Sequence, residues 1–285
     1  MRRSRVPTTA RFVIGALVTA IYLLPLFWMV ATSIKPPNEI IQTPPVLITT
    51  SPQIESYKSI LGLPNDRPEL YVSTLSYLKN SIIIGSATTA LTLLLGIPAA
   101  YALARFRLRG ARLIILAILV AQMLPGALLV MPLFVTVKSV GLYGSQLAVI
   151  IADTALALPL SIILLQTSFR QVPKEIEEAA WVDGASANQT FTKIILPLAL
   201  PALAVTAFLG FIAGWTEFYF SWMFLNKVTD QTLAMALYAM QGQFASTPWS
   251  LFSAFAILFA IPPAIVYFFA QKYITSGLAV GAVKG

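Results

Sequence analysis

Long apolar runs separated by short polar stretches organise this chain. Residues 12–34 are almost wholly apolar, and comparable runs follow at about 81–104, 113–135, 146–169, 201–225 and 249–271. At about 1.5 Å of rise per residue, such a run crosses a hydrocarbon core of about 30 Å as a helix. The pattern therefore predicts an all-α integral membrane protein with six transmembrane helices. The first run is longer than the ~7–15-residue apolar region of a signal peptide, so it reads as a first membrane helix. Pro25, Pro98, Pro125, Pro132, Pro159 and Pro262 fall inside the runs. They are tolerated there where neighbouring helices satisfy the freed backbone, and they are expected to bend some spans.

The polar stretches assign the sides. Residues 1–11 form a short basic segment, and 35–77 is a loop broken by seven prolines, predicting turns and short helices. Residues 105–112, RFRLRGAR, make a tight basic turn between spans. Residues 170–197 are the longest polar interruption in the second half, and 272–285 form a tail. Six spans put both termini, 105–112 and 170–197 on one side. That side carries thirteen of the nineteen Lys and Arg residues. The excess predicts that it is cytoplasmic, leaving 35–77 outside the cell. The expected location is a bacterial or archaeal plasma membrane.

Composition narrows the chemistry. Only 11% of residues are charged, against about 25% in soluble domains, and 58% are hydrophobic. Cysteine and histidine are both absent. That excludes disulfides, thiolate metal sites and cysteine nucleophiles, and removes His–zinc and Ser–His arrangements. No metal set and no catalytic residues are expected. The net charge of +8 follows from the loop distribution and gives no reason to invoke nucleic acid. No G-x-x-x-x-G-K-[ST] phosphate loop occurs, so any nucleotide energy source is expected on another chain.

The stretch VPKEIEEAAWVDGASANQTFTKIILP, residues 172–197, reads as two short helices joined by a turn. Pro173 suits a first helical turn, and Glu175, Glu177 and Glu178 favour the positive end of the helix dipole. Gly184 suits the left-handed residue that ends a helix, and Ser186 can cap the next one.

Within that stretch Glu178-Ala179-Ala180, Gly184, Ile194, Leu196 and Pro197 fit E-A-A-x3-G-x9-I-x-L-P. This resembles the EAA loop of ABC importer permease subunits of the type I, binding-protein-dependent family. The C-terminus SGLAVGAVKG, the segments Phe27-Trp28 and Ser33-Ile34-Lys35-Pro36, Asn80-Ser81, and Trp215-Thr216-Glu217 are similar to the carbohydrate subfamily, whose second permease subunit is exemplified by maltose importers. The resemblance implies a coupling helix that docks in a cleft of an ATPase subunit. Glu178, Ala179, Ala180, Asp183, Gly184, Ile194, Leu196 and Pro197 would carry that role. Ala179 and Ala180 would let the helix sit deep in the partner's groove. It also implies a heterodimer with a paralogous permease, two ATPase subunits that hold ATP and Mg²⁺, and an extracellular solute-binding protein. No cofactor is expected in this chain. The tail, with Gly281, Lys284 and Gly285, would reach the ATPase as a close-fitting extended segment.

Two carboxylates, Asp153 and Glu217, lie in apolar runs, where charge is costly and usually faces a bundle interior or a cavity. Glu217 with Trp215 and Tyr219 is a candidate translocation path, since aromatic faces beside a carboxylate suit a sugar. An equal alternative makes Glu217 a helix-interface residue. Asp153 is expected near the outer surface in a solvated or helix-end role. The leading function is permease subunit of an ATP-driven carbohydrate importer. A permease for another solute, an ion-coupled secondary transporter and, more distantly, a membrane enzyme are the rivals.

Overall fold

The computed structural model describes residues 7–64, 74–241 and 247–282, and their regular structure is helical throughout. The principal helices are α1 (Thr8–Ser33), α2 (Thr74–Arg105), α3 (Ala111–Gln122), α4 (Gly126–Ser139), α5 (Gln146–Gln171), α6 (Lys174–Val182), α7 (Leu200–Thr216), α8 (Tyr219–Phe224), α9 (Leu233–Ala239) and α10 (Trp249–Ala282). By length and composition α1, α2, α5 and α10 are each able to cross a membrane alone. Two further pairs are bent: α3 with α4 by 101°, and 187–198 with α7 by 75°. The described chain is thus a multi-pass membrane protein with four helices long and apolar enough to cross alone, or up to six spans if each bent pair is one span.

Two expected runs are not continuous helices. The run at 113–135 breaks between Gln122 and Gly126, where Pro125 takes φ −60° and ψ 125° as the N-cap of α4. A residue before proline is driven out of the α region, which ends α3. The run at 201–225 breaks at Glu217, whose ψ of 132° stops α7 before α8 restarts at Tyr219. Pro25, Pro98, Pro132, Pro159 and Pro262 do lie within helices, where each lacks the N–H that would bond one turn back.

The chain divides into two compact units, Met1–Leu75 with Leu237–Ala260, and Ser76–Ala236 with Ile261–Gly285. In the first, the exit of α1 is tied down by its own loop. Ser33 Oγ bonds to the Val30 carbonyl at 2.7 Å and pairs with the Tyr57 hydroxyl at 2.8 Å. Buried Lys35 donates Nζ to the Val46 carbonyl and lies 4.2 Å over the Trp28 ring. An ammonium removed from water thus gains a carbonyl and an aromatic face. Trp28, Ser33 and Lys35 are therefore fold-determining positions at a helix exit.

The second unit is built on α2, α5 and α7. At Gly214 a Cβ would fall 3.0 Å from Gly85 Cα and from Thr88 Cβ, so α7 and α2 touch backbone to backbone. Close approach over small residues is how membrane helices gain dispersion energy in lipid. Asn80 Nδ2 donates to the Thr229 and Gln231 carbonyls at 2.8 and 2.9 Å, and Ser81 Oγ accepts from Leu233 N–H at 2.9 Å. These bonds fasten the segment after α8 to the start of α2. One apolar core gathers around Ile84, Val149, Phe220 and Phe224. The other gathers around Ala100, Leu165, Phe169, Ile195 and Ala199, and it sets the position of the 170–197 loop.

Candidate functional site

The loop folds as its residues dictate. Pro173, at φ −56° and ψ 140°, is the N-cap of α6 and stands just ahead of the first turn. Gly184 has φ +84°. Its N–H bonds to the Trp181 carbonyl at 3.0 Å, and Ala185 N–H bonds to the Ala180 carbonyl at 2.9 Å. This pair of bonds is a Schellman ending, and the left-handed residue within it favours glycine. Ser186 then opens the next helix with a reciprocal capping box: Gln189 Oε1 accepts from Ser186 N–H at 2.8 Å, and Ser186 Oγ accepts from Gln189 N–H at 3.3 Å. Residues Phe191–Ile195 form a π-helical segment in which Leu196 N–H reaches the Phe191 carbonyl, and the 75° bend into α7 follows at Pro197 to Pro201.

A buried ion pair holds α6 to the bundle. Arg105 Nε, at the last residue of α2, lies 2.5 Å from Glu177 Oε1, with side-chain exposures of only 6% and 7%. The contact is ionic without being an aligned hydrogen bond, as neither atom has a partner of hydrogen-bond geometry. Arg105 also donates to the Val172 carbonyl at 2.9 Å, and the Tyr101 hydroxyl approaches Glu177 Oε2 at 3.4 Å. Tyr101 packs on Phe191 and Phe169 at centroid distances of 4.6 and 5.6 Å. The loop's beginning and end are thus both fixed to α2 and α5. Glu177 and Arg105 were not separable by sequence from the neighbouring acidic and basic residues. Their only signal was that Glu177 and Ala180 share a helix face opposite Glu178 and Val182.

That face division corrects one expectation. Ala180 is 6% exposed and packs inward, so it does not line a groove on another chain. The outward face holds Glu178, Ala179, Trp181 and Val182, with Val182 87% exposed. Asp183, the C-cap, and Gly184 are exposed. Ile194 and Leu196 are half-buried against the second core, and Pro197 is exposed.

In the membrane part, the structure sets Trp215 apart from Glu217 and Tyr219. Trp215 is fully buried and stacks on Phe211 at 5.5 Å, so it is core and lines no path. Glu217 accepts the Phe220 and Ser221 N–H groups at 2.5 and 2.9 Å, capping the free amides at the start of α8. These partners are in its own chain and are not the partner-helix bonds of the alternative reading, and Glu217 shares a cavity lining with Tyr219. Tyr219 is exposed. Asp153 is 3% exposed, about two turns into α5, and not solvated as expected. Asp153, Glu217, Tyr219 and Gly126 line one cavity of about 170 Å³. Among the described residues no cluster of His, Cys, Asp and Glu could hold a metal ion.

The tail also departs from expectation. The backbone is helical past Gln271 to Ala282, so Gly281 sits in a helix and not in an extended strand. Leu278, Ala279 and Ala282 are good helix formers on either side of Gly281, whose cost in a helix is only about 1 kcal/mol relative to alanine. Lys284 and Gly285 lie outside the described residues.

Broken apolar helices around a cavity, with a capped polar loop clamped to one end of the bundle, fit a membrane transport subunit. Residues 92–280 match the family described as "Binding-protein-dependent transport system inner membrane component". The chain is 37% identical over 274 residues to the trehalose/maltose transport system permease protein MalG of Thermococcus litoralis, covering 96% of each chain. It is 36% identical over 275 residues to the trehalose transport system permease protein SugB of Mycobacterium tuberculosis, again covering 96% of each. The diacetylchitobiose uptake system permease protein DasC of Streptomyces coelicolor is 33% identical over 273 residues, 94% of this chain and 96% of that one. A solved chain of a bacterial ABC transporter that imports the acidic polysaccharide alginate has the same fold, with TM-score 0.74 and 23% identity over 94% of this chain and 98% of that one. The protein belongs to the binding-protein-dependent ABC permease family, whose members are transport subunits and not enzymes.

Proposed function

We propose that this chain is one of two permease subunits of an ATP-driven carbohydrate importer in a bacterial or archaeal plasma membrane. The observation that carries the coupling role is the two-faced α6. One side is clamped to the bundle by Arg105 and Glu177, and the other presents Glu178, Trp181 and Val182 outward from the loop. Exposed apolar side chains beside a carboxylate on a rigidly held helix suit a groove on an ATPase subunit. Ala179, Asp183, Gly184, Ile194, Leu196 and Pro197 shape that surface and its exit. The segment with Gly281, Lys284 and Gly285 would approach the same partner.

The partners are a paralogous permease, two ATPase subunits that bind ATP and Mg²⁺, and an extracellular solute-binding protein. This chain itself holds no cofactor and contacts lipid, not nucleic acid. Six spans with cytoplasmic termini, each bent pair counting as one span, fit the Lys/Arg distribution. Sugar as solute is supported by the solutes in the names of MalG, SugB and DasC. ATP-driven closure of the ATPases would move α6 and rock the bundle between outward and inward access.

Val182→Asp tests the reading, because it buries a charge in the docking surface and leaves the chain's own core untouched. The permease pair should stay in the membrane while ATPase subunits are lost on purification and sugar uptake falls with them. Normal ATPase retention and uptake in this variant would overturn the assignment of the loop.

A further inference from the structure

We propose that Asp153 is a solute-binding residue, whose side-chain carboxyl oxygen accepts a hydroxyl hydrogen bond from a carbohydrate passing through the cavity beside Glu217. The proposal rests on the importer reading and deepens it. Asp153 is 3% exposed, and its Oδ2 has no hydrogen-bond partner. A buried acceptor without a donor is a large local penalty that folds rarely retain unless something else supplies the donor. Glu217, on the same cavity, presents the contrast: both of its oxygens are bonded to α8 amides. One carboxylate has a structural use and the other is left with an unbonded oxygen.

The surroundings point to a passing ligand as the donor. The cavity lies where two helix breaks meet, the α3–α4 break at Gly126 and the α7–α8 break at Glu217. Non-helical backbone at membrane depth persists where it is buried in protein or lines an aqueous cavity. A second cavity of about 270 Å³ shares Leu156 and Ala213 with the first and is lined along α5 as far as Ser161 and, from the end of α3, by Gln122. Asp153 to Ser161 spans about 12 Å of helix at 1.5 Å per residue. The two cavities adjoin at Leu156 and Ala213, so hydrogen-bonding side chains lie beside the space next to Asp153. Tyr219 offers an aromatic face at the Asp153 end, and a sugar has apolar C–H faces and a hydroxyl rim to match both.

The test uses the full reconstituted complex in proteoliposomes, with its paired permease, ATPase subunits and solute-binding protein. Radiolabelled trehalose, maltose and diacetylchitobiose are the probes. Asp153→Leu removes the acceptor, and Asp153→Asn keeps one acceptor oxygen at the same size. For whichever sugar the wild type imports, Asp153→Leu should lower the maximal uptake rate at least tenfold. Binding-protein-stimulated ATP hydrolysis should stay within twofold, so sugar moved per ATP falls. Asp153→Asn should lose less and alter the order of preference among the sugars. Unchanged uptake per ATP in both variants overturns the proposal while leaving the importer reading intact. Loss of the paired permease from both variants overturns it too, by showing that Asp153 bonds across the permease interface. Wild-type import of none of the three sugars refutes the carbohydrate reading, and this proposal with it.

Discussion

Breaking the Arg105–Glu177 pair should release the coupling loop without unfolding the bundle. Both side chains are less than a tenth exposed and their charges are 2.5 Å apart. Removing one member of such a pair typically costs about 3–5 kcal/mol, because the other is left buried and unpaired. The two singles should differ. Arg105→Ala leaves Glu177 with only the Tyr101 hydroxyl at 3.4 Å. Glu177→Ala leaves Arg105 still bonded to the Val172 carbonyl at 2.9 Å, at a helix end from which a long side chain can turn to water. Arg105→Ala is therefore the more damaging. A loss of about 3 kcal/mol raises the open population of the loop on the order of 10²-fold. Hydrogen exchange at the amides of α6 in the purified complex measures that opening directly. The double variant Arg105→Met with Glu177→Leu removes both charges and keeps the volume. It should recover most of the protection, since apolar replacement of a buried pair is often neutral. Uptake and stimulated ATP hydrolysis should fall together in the singles and return together in the double. Wild-type exchange rates in Arg105→Ala would refute the clamp. So would a double variant whose loss equals the sum of the two singles.

Other substitutions probe separate features. Gly184→Val should weaken ATPase retention more than Gly184→Ala: no atom lies within 4 Å of the added Cβ, so the cost is the positive φ alone, about 1–2 kcal/mol for alanine and more for a β-branched residue. Gly214→Val should lower the melting temperature of the purified complex by disrupting the α2–α7 crossing, with overpacking of about 1–3 kcal/mol. Glu217→Ala should lose about 1–2 kcal/mol by uncapping two amides of α8, and Glu217→Gln less, as read from proteolysis of the 217–241 segment. Lys35→Met should loosen the loop at the α1 exit, seen as faster exchange at Gln53 N–H, which bonds to the Ile34 carbonyl at 2.8 Å.

What could be read in the sequence follows from what each signal measures. Hydrophobic run length reports how much backbone a membrane requires, so α1, α2 and α5 could be placed from it. It says little about direction inside a run: Pro125 marks where the third run can bend, but not that the turn reaches 101°. A capping signal is local, so Gly184 and Ser186 declared their roles through residue type alone. Burial is not local. Ala179 and Ala180 are neighbours of one kind in the sequence, yet one faces out and the other faces the chain's own core. The motif identified the helix but could not orient it, because orientation depends on Arg105, contributed by a different helix. Glu217 and Asp153 make the same point inside the membrane. Both are carboxylates in apolar runs, and hydropathy treats them alike. Only the break after α7 gives Glu217 amides to cap, and only the meeting of two breaks leaves Asp153 facing a cavity with an oxygen unbonded. The polar side chains of this unit are therefore sorted at the discontinuities of its helices, where backbone geometry decides which carboxyl is bonded within the fold and which keeps an oxygen unbonded.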